Sequence, residues 1–100
     1  MKIRFRTRGL QRQYEHSKEA EKAYGRAVAR KYIQRVNIIK ASQGLHDLIA
    51  QGPLRCHPLK GQRQGQYAMR LHDRWRLIFT VESGVIEVAC IEEVSKHYGD

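Results

Sequence analysis

The hydrophobic period changes twice along this chain, and few architectures accommodate both changes. Residues 2–6 alternate, with Ile3 and Phe5 on one face and Lys2, Arg4 and Arg6 on the other, as a half-buried strand requires. From Leu10 to about Ser42 the spacing becomes three and four. Ala20, Tyr24, Ala27, Val28, Tyr32, Val36 and Ile39 form an apolar stripe with Lys and Arg opposite, which predicts helix. Ser17, followed by Glu19 and Glu21, reads as a cap with an acidic first turn, and Gly25 separates a shorter helix from a longer one over about Gly25–Ala41. Residues 44–50 suit a further turn or two of helix, ended by Gly52-Pro53, and Leu54–Gly65 reads as an irregular functional loop. Period two then returns. Gln66–Leu71 and Arg74–Val81 read as a hairpin bent at His72-Asp73, and the turn Glu82-Ser83-Gly84 leads into Val85–Ile91, a central strand apolar on both faces. Strand, helices and three strands predict an α+β fold: a mainly antiparallel sheet of about four strands with two to three helices packed on one face.

A length of 100 residues supports one core, hence a single domain over 1–100. The apolar runs are too short to span a bilayer. The alternating start lacks the continuous apolar stretch of a secretory signal, so a cytoplasmic protein without membrane contact is expected. Cys56 and Cys90 stand apart from any second cysteine at redox or metal-ligand spacing and read as small core residues. Charge narrows the partner: 19 Lys and Arg against 10 Asp and Glu give +9, which suits a polyanion. Residues 55–76 hold Arg55, Lys60, Arg63, Arg70, Arg74 and Arg76 against Asp73 alone, whereas the final stretch is acidic.

Alternation places Arg70, Arg74 and Arg76 away from Tyr67, Met69, Leu71, Trp75, Leu77 and Phe79. A solvated sheet face carries polar residues in any case. What points to a phosphate site is the clustering of Arg55, Lys60 and Arg63 in the adjoining loop, since guanidinium forks match phosphate oxygens bidentately. Of the histidines, His16, His46 and His72 have only surface contexts. His57 opens the loop before Pro58, and His97 lies near the end beside Lys96 and Tyr98. Two imidazoles flanking an arginine-rich sheet supply a base for a 2′-hydroxyl proton, an acid for the 5′-oxygen and cations for a phosphorane. No carboxylate pair, His-Glu-x-x-His, phosphate-binding glycine loop, dinucleotide glycine pattern or Gly-x-Ser-x-Gly is present, so neither metal nor cofactor is expected.

The run from His57-Pro58-Leu59-Lys60-Gly61-Gln62-Arg63 through Tyr67-Ala68-Met69-Arg70-Leu71-His72-Asp73-Arg74-Trp75-Arg76-Leu77-Ile78-Phe79 resembles the HigB branch of the RelE/ParE toxin superfamily in order and spacing. The resemblance is strong over the second half and looser over the preceding strand and helices. It implies a RelE-like domain, a HigA-like helix-turn-helix antitoxin through which alone operator DNA is contacted, and metal-independent cleavage of mRNA on the 70S ribosome. It implies that His57 and Lys60 meet the scissile phosphate from the loop and Arg70 and Arg76 from the sheet. The end departs from the family. Where HigB toxins close the last strand with Asp-Tyr-His, this chain reads Ile91-Glu92-Glu93-Val94-Ser95-Lys96-His97. Either His97 replaces the terminal histidine, or Glu93 takes the aspartate position and the histidine is absent; the expected catalytic set is His57, Lys60, Arg70, Arg76 and His97, with Arg55, Arg63, Arg74 and Lys96 binding nucleic acid.

Three activities fit these residues. The leading one is a ribosome-dependent endoribonuclease. A ParE-like toxin directed at gyrase would damage DNA and leave mRNA intact, and a non-catalytic basic RNA-binding protein of the same fold would bind RNA salt-sensitively without shortening it.

Overall fold

The computed structural model describes residues 1–96. Strand β1 (Lys2–Phe5) leads into helices α1 (Arg8–Glu15), α2 (Ser17–Tyr24), α3 (Arg26–Ala41) and α4 (Leu45–Ala50). The remainder is β2 (His57–Pro58), β3 (Gln66–Arg70), β4 (Trp75–Glu82) and β5 (Val88–Lys96), with 3-10 turns at Gly52–Leu54 and Gly61–Arg63. The sheet order is β1-β5-β4-β3-β2, antiparallel except where β1 pairs in parallel with β5.

One face of the sheet carries the core. Met69, Leu77, Phe79, Ala89 and Ile91 pack against Leu10, Ala20, Val28, Tyr32, Val36, Ile39 and Leu48 from the helices. Burying each large side chain of this set contributes about 1.5–3 kcal/mol. Tyr32 is wholly buried and donates its hydroxyl to the Leu10 carbonyl at 2.7 Å, which satisfies its polar end and ties α3 to α1. Cys56 and Cys90 are free, buried thiols. The other face stays largely open, apart from Ala68 and Ile78, which are fully buried there, and Cys90, which is buried opposite Thr80 on that face and not in the helix-packed core.

Several elements differ from expectation. The sheet has five strands because His57-Pro58, inside the stretch expected to be irregular, pairs with Ala68 and Tyr67. Four helices replace two or three, since the chain breaks at His16 as well as at Gly25. Ser17 is the first helical residue and not the cap: His16 holds that position without a side-chain cap bond, while α1 is capped by Thr7, whose Oγ1 accepts from the Leu10 amide at 3.2 Å. The last strand starts at Val88, leaving Val85 and Ile86 exposed in the preceding loop, and continues to Lys96. Its register slips at Ile78/Phe79, which face Glu93 and Ile91, so Glu92 is the extra residue of a bulge. Beyond that bulge the faces exchange: Val94 joins the core side, and Glu93 lies beside Ile78 on the open side.

Candidate active site

The open face is built row by row from the strand register. His57, Ala68, Ile78 and Glu93 form one row across β2, β3, β4 and β5, and Arg70, Arg76 and Ser95 form the next. At the β2 side, Arg55, Cys56, His57, Arg70 and Arg76 line one cavity of about 400 Å³.

Arg55 ends a 3-10 turn in the left-handed region at φ 54°. That bend turns its carbonyl towards the His57 ring, and Nδ1 lies 2.8 Å from it. A carbonyl oxygen only accepts, so Nδ1 carries the hydrogen and the lone pair of the neutral imidazole is on Nε2, where it can take a proton. Arg70 and Arg76 are direct cross-strand partners. Like charges in that relation destabilise a hairpin, and an anion between them relieves the repulsion. Arg76 is held by its own turn, with Nη1 donating to the carbonyls of Asp73 at 2.9 Å and Trp75 at 3.1 Å. Behind Arg70, the buried Arg35 of α3 donates Nε to the Arg70 carbonyl at 3.0 Å, and burial lowers the Arg35 pKa from its ordinary value. Cys56 is a neutral wall, because burial pushes its thiol up to about 11. A base next to three guanidinium groups has the parts to deprotonate a hydroxyl nucleophile and stabilise charge on a phosphoryl centre.

The other expected site residues are distributed differently. Lys60 is exposed at the start of the turn Gly61–Arg63 and does not line the cavity. Arg63 donates Nη1 to Gln66 Oε1 at 3.1 Å and to Glu93 Oε1 at 2.7 Å. Arg74 and Lys96 line a separate hollow of about 420 Å³ with Asp73 and Trp75. His97 lies outside the described residues. Among the described residues no group of three His, Cys, Asp or Glu is placed to hold a metal ion, and no helix is long and apolar enough to cross a membrane. The sequence reading overlooked Arg35, although its spacing from Val28, Tyr32 and Ile39 places it on the buried stripe of α3.

A family model described as the RelE-like toxin of type II toxin-antitoxin system HigB matches residues 3–92. No curated protein matched the chain. Among solved structures, a YoeB/ParE toxin from Agrobacterium tumefaciens is similar with a TM-score of 0.66 at 18% identity, covering 98% of this chain and 100% of that one. A YoeB-YefM complex from Staphylococcus aureus gives 0.62 at 18% identity, with 98% of each chain covered. YafQ from E. coli strain BL21(DE3) gives 0.60 at 13% identity, covering 94% of this chain and 90% of that one. At such identities the likeness is one of fold.

Proposed function

The chain belongs to the RelE-like toxins of the HigB type II toxin–antitoxin system, and from that premise we propose that it cuts mRNA on the translating 70S ribosome. It acts as one cytoplasmic domain, held inactive by a HigA-like helix-turn-helix antitoxin that alone meets operator DNA. The observation that carries this reading is the shared cavity, in which His57 lies with Arg55, Arg70 and Arg76 and has its Nδ1 tethered to a carbonyl.

In the proposed reaction His57 Nε2 removes the proton from a 2′-hydroxyl, and the 2′-oxygen forms a bond to the adjacent phosphorus. The P–O5′ bond breaks, leaving a 2′,3′-cyclic phosphate on one fragment and, after protonation, a 5′-hydroxyl on the other. Arg70 and Arg76 bear on the non-bridging oxygens, whose charge grows in the transition state. Lys60 adds a cation from the loop, and His97 supplies the proton to the 5′-oxygen. Glu93 is a poor candidate for that acid. It lies three strand spacings from His57, roughly 14 Å, and its carboxylate is paired with Arg63.

The test is cleavage of a translated message by purified protein with ribosomes, comparing wild type with His57→Ala and Arg76→Ala. The wild type should cut and both variants should lose most activity. Equal cutting by the variants removes this cavity from the reaction.

A further inference from the structure

We infer that Arg63 and Glu93 form a latch that holds the Lys60 loop against the open sheet face, and that Glu93 serves as a positioning residue for Lys60; the Lys60 half of this inference rests on the nuclease reading above. The loop between β2 and β3 is a hairpin connection that begins where the Leu59 amide donates to the Gln66 carbonyl at 2.8 Å. Lys60 immediately precedes its 3-10 turn and Arg63 ends it, with Gly61 at φ 65° and Gly65 at φ 95° on either side of Arg63. Two glycines in the left-handed region let the chain fold sharply but do not choose a direction. The Arg63 side chain supplies one. Its Nη1 meets the side chains of Gln66 on β3 and Glu93 on β5 together, so the three side chains bridge the strands on either side of β4.

Two independent observations agree with a latch. Ala68 and Ile78 lie in the same row as Glu93, on the face away from the helices, yet both are fully buried. Apolar residues there need a cover, and a long side chain anchored to Gln66 and Glu93 at the two sides of β4 is suited to supply it. The second is the bulge at Glu92: without the extra residue, plain alternation from Ile91 would turn Glu93 into the core. The bulge presents its carboxylate on the face that Arg63 reaches. A single irregularity in β5 thus fixes where the neighbouring loop is anchored.

The experiment uses the full chain. Amide hydrogen exchange over residues 59–65 and single-turnover cleavage on ribosomes are compared for wild type, Glu93→Gln, Arg63→Gln and the charge swap Arg63→Glu with Glu93→Arg. Each single variant should speed loop exchange and slow cleavage by about two- to fivefold, a range suited to one half-exposed ion pair. The swap should recover most of both. Combined with Lys60→Met, Glu93→Gln should add little to the loss, since both act through one group. Unchanged loop exchange in Glu93→Gln, or a swap no better than either single variant, overturns the latch. A fully additive loss with Lys60→Met overturns the positioning role. If the wild type cuts no message, the nuclease reading and the Lys60 role both fall, and exchange alone decides the latch.

Discussion

His57 owes its usefulness to the residue two places before it. A left-handed Arg55 brings its carbonyl to Nδ1 and so fixes both ring orientation and tautomer. His57→Gln, which keeps a polar side chain of similar reach, should therefore lower single-turnover cleavage by about 10²–10⁴-fold, the usual value of a positioned proton acceptor, while leaving the denaturant midpoint nearly unchanged. Cys56 gives a second prediction. Its folded pKa of about 11 stands above the ordinary 9.0, so the unfolded chain releases the thiol proton first. The stability this group contributes is complete below pH 9 and declines as pH rises towards 11; replacing Cys56 with Ala should flatten the denaturation midpoint over that window. The positions of Arg70 and Arg76 were legible because alternation and family spacing both mark them, and that of His57 because family spacing does. Arg35 was not, because periodicity arguments send every guanidinium to the solvent side, whereas this one stays inside by donating to the Arg70 carbonyl. Arg35→Met should cost about 1–3 kcal/mol in urea unfolding, mostly from the carbonyl left without its donor.

At the scale of elements, the joints carry the information that a hydrophobic pattern lacks. Gly25 joins α2 to α3 at φ 84°, ψ 165°, a conformation open to glycine and strained for any residue with a Cβ. Gly25→Ala should destabilise the fold by more than about 1 kcal/mol in chemical denaturation, although the added methyl would meet no atom within 4 Å. The main helix and the hairpin strands were visible because each repeats its period for long enough to be read. β2 was not, because two residues cannot display a period; its pairing depends on β3. The β5 bulge was hidden for a related reason. A bulge inverts the alternation by which a strand is read, so the faces of Glu93 and Val94 follow from the register alone. α4 also depends on distant sequence, since the Leu45 amide donates to Glu87 Oε1 from the β4–β5 loop at 3.0 Å.

Taken as a whole, the molecule divides its sheet between two tasks. The helix-covered face supplies the apolar contacts that hold the fold, and the opposite face gathers His57, Arg55, Arg70 and Arg76 on a rigid support. The net charge of +9 draws polyanions to the surface as a whole, and the His57 cavity sets three guanidinium groups beside an imidazole. Binding of a single-stranded RNA oligonucleotide should weaken with salt, and Arg70→Gln should make the log–log slope shallower by about 0.7, the counterion share of one phosphate contact. The most direct test of the account is a ribosome-bound message carrying one 2′-deoxynucleotide at the nucleotide 5′ to the cut. The wild-type protein should cut the all-ribose message to a 2′,3′-cyclic phosphate end and leave the substituted position intact; equal cutting of both messages would contradict hydroxyl attack within the His57 cavity.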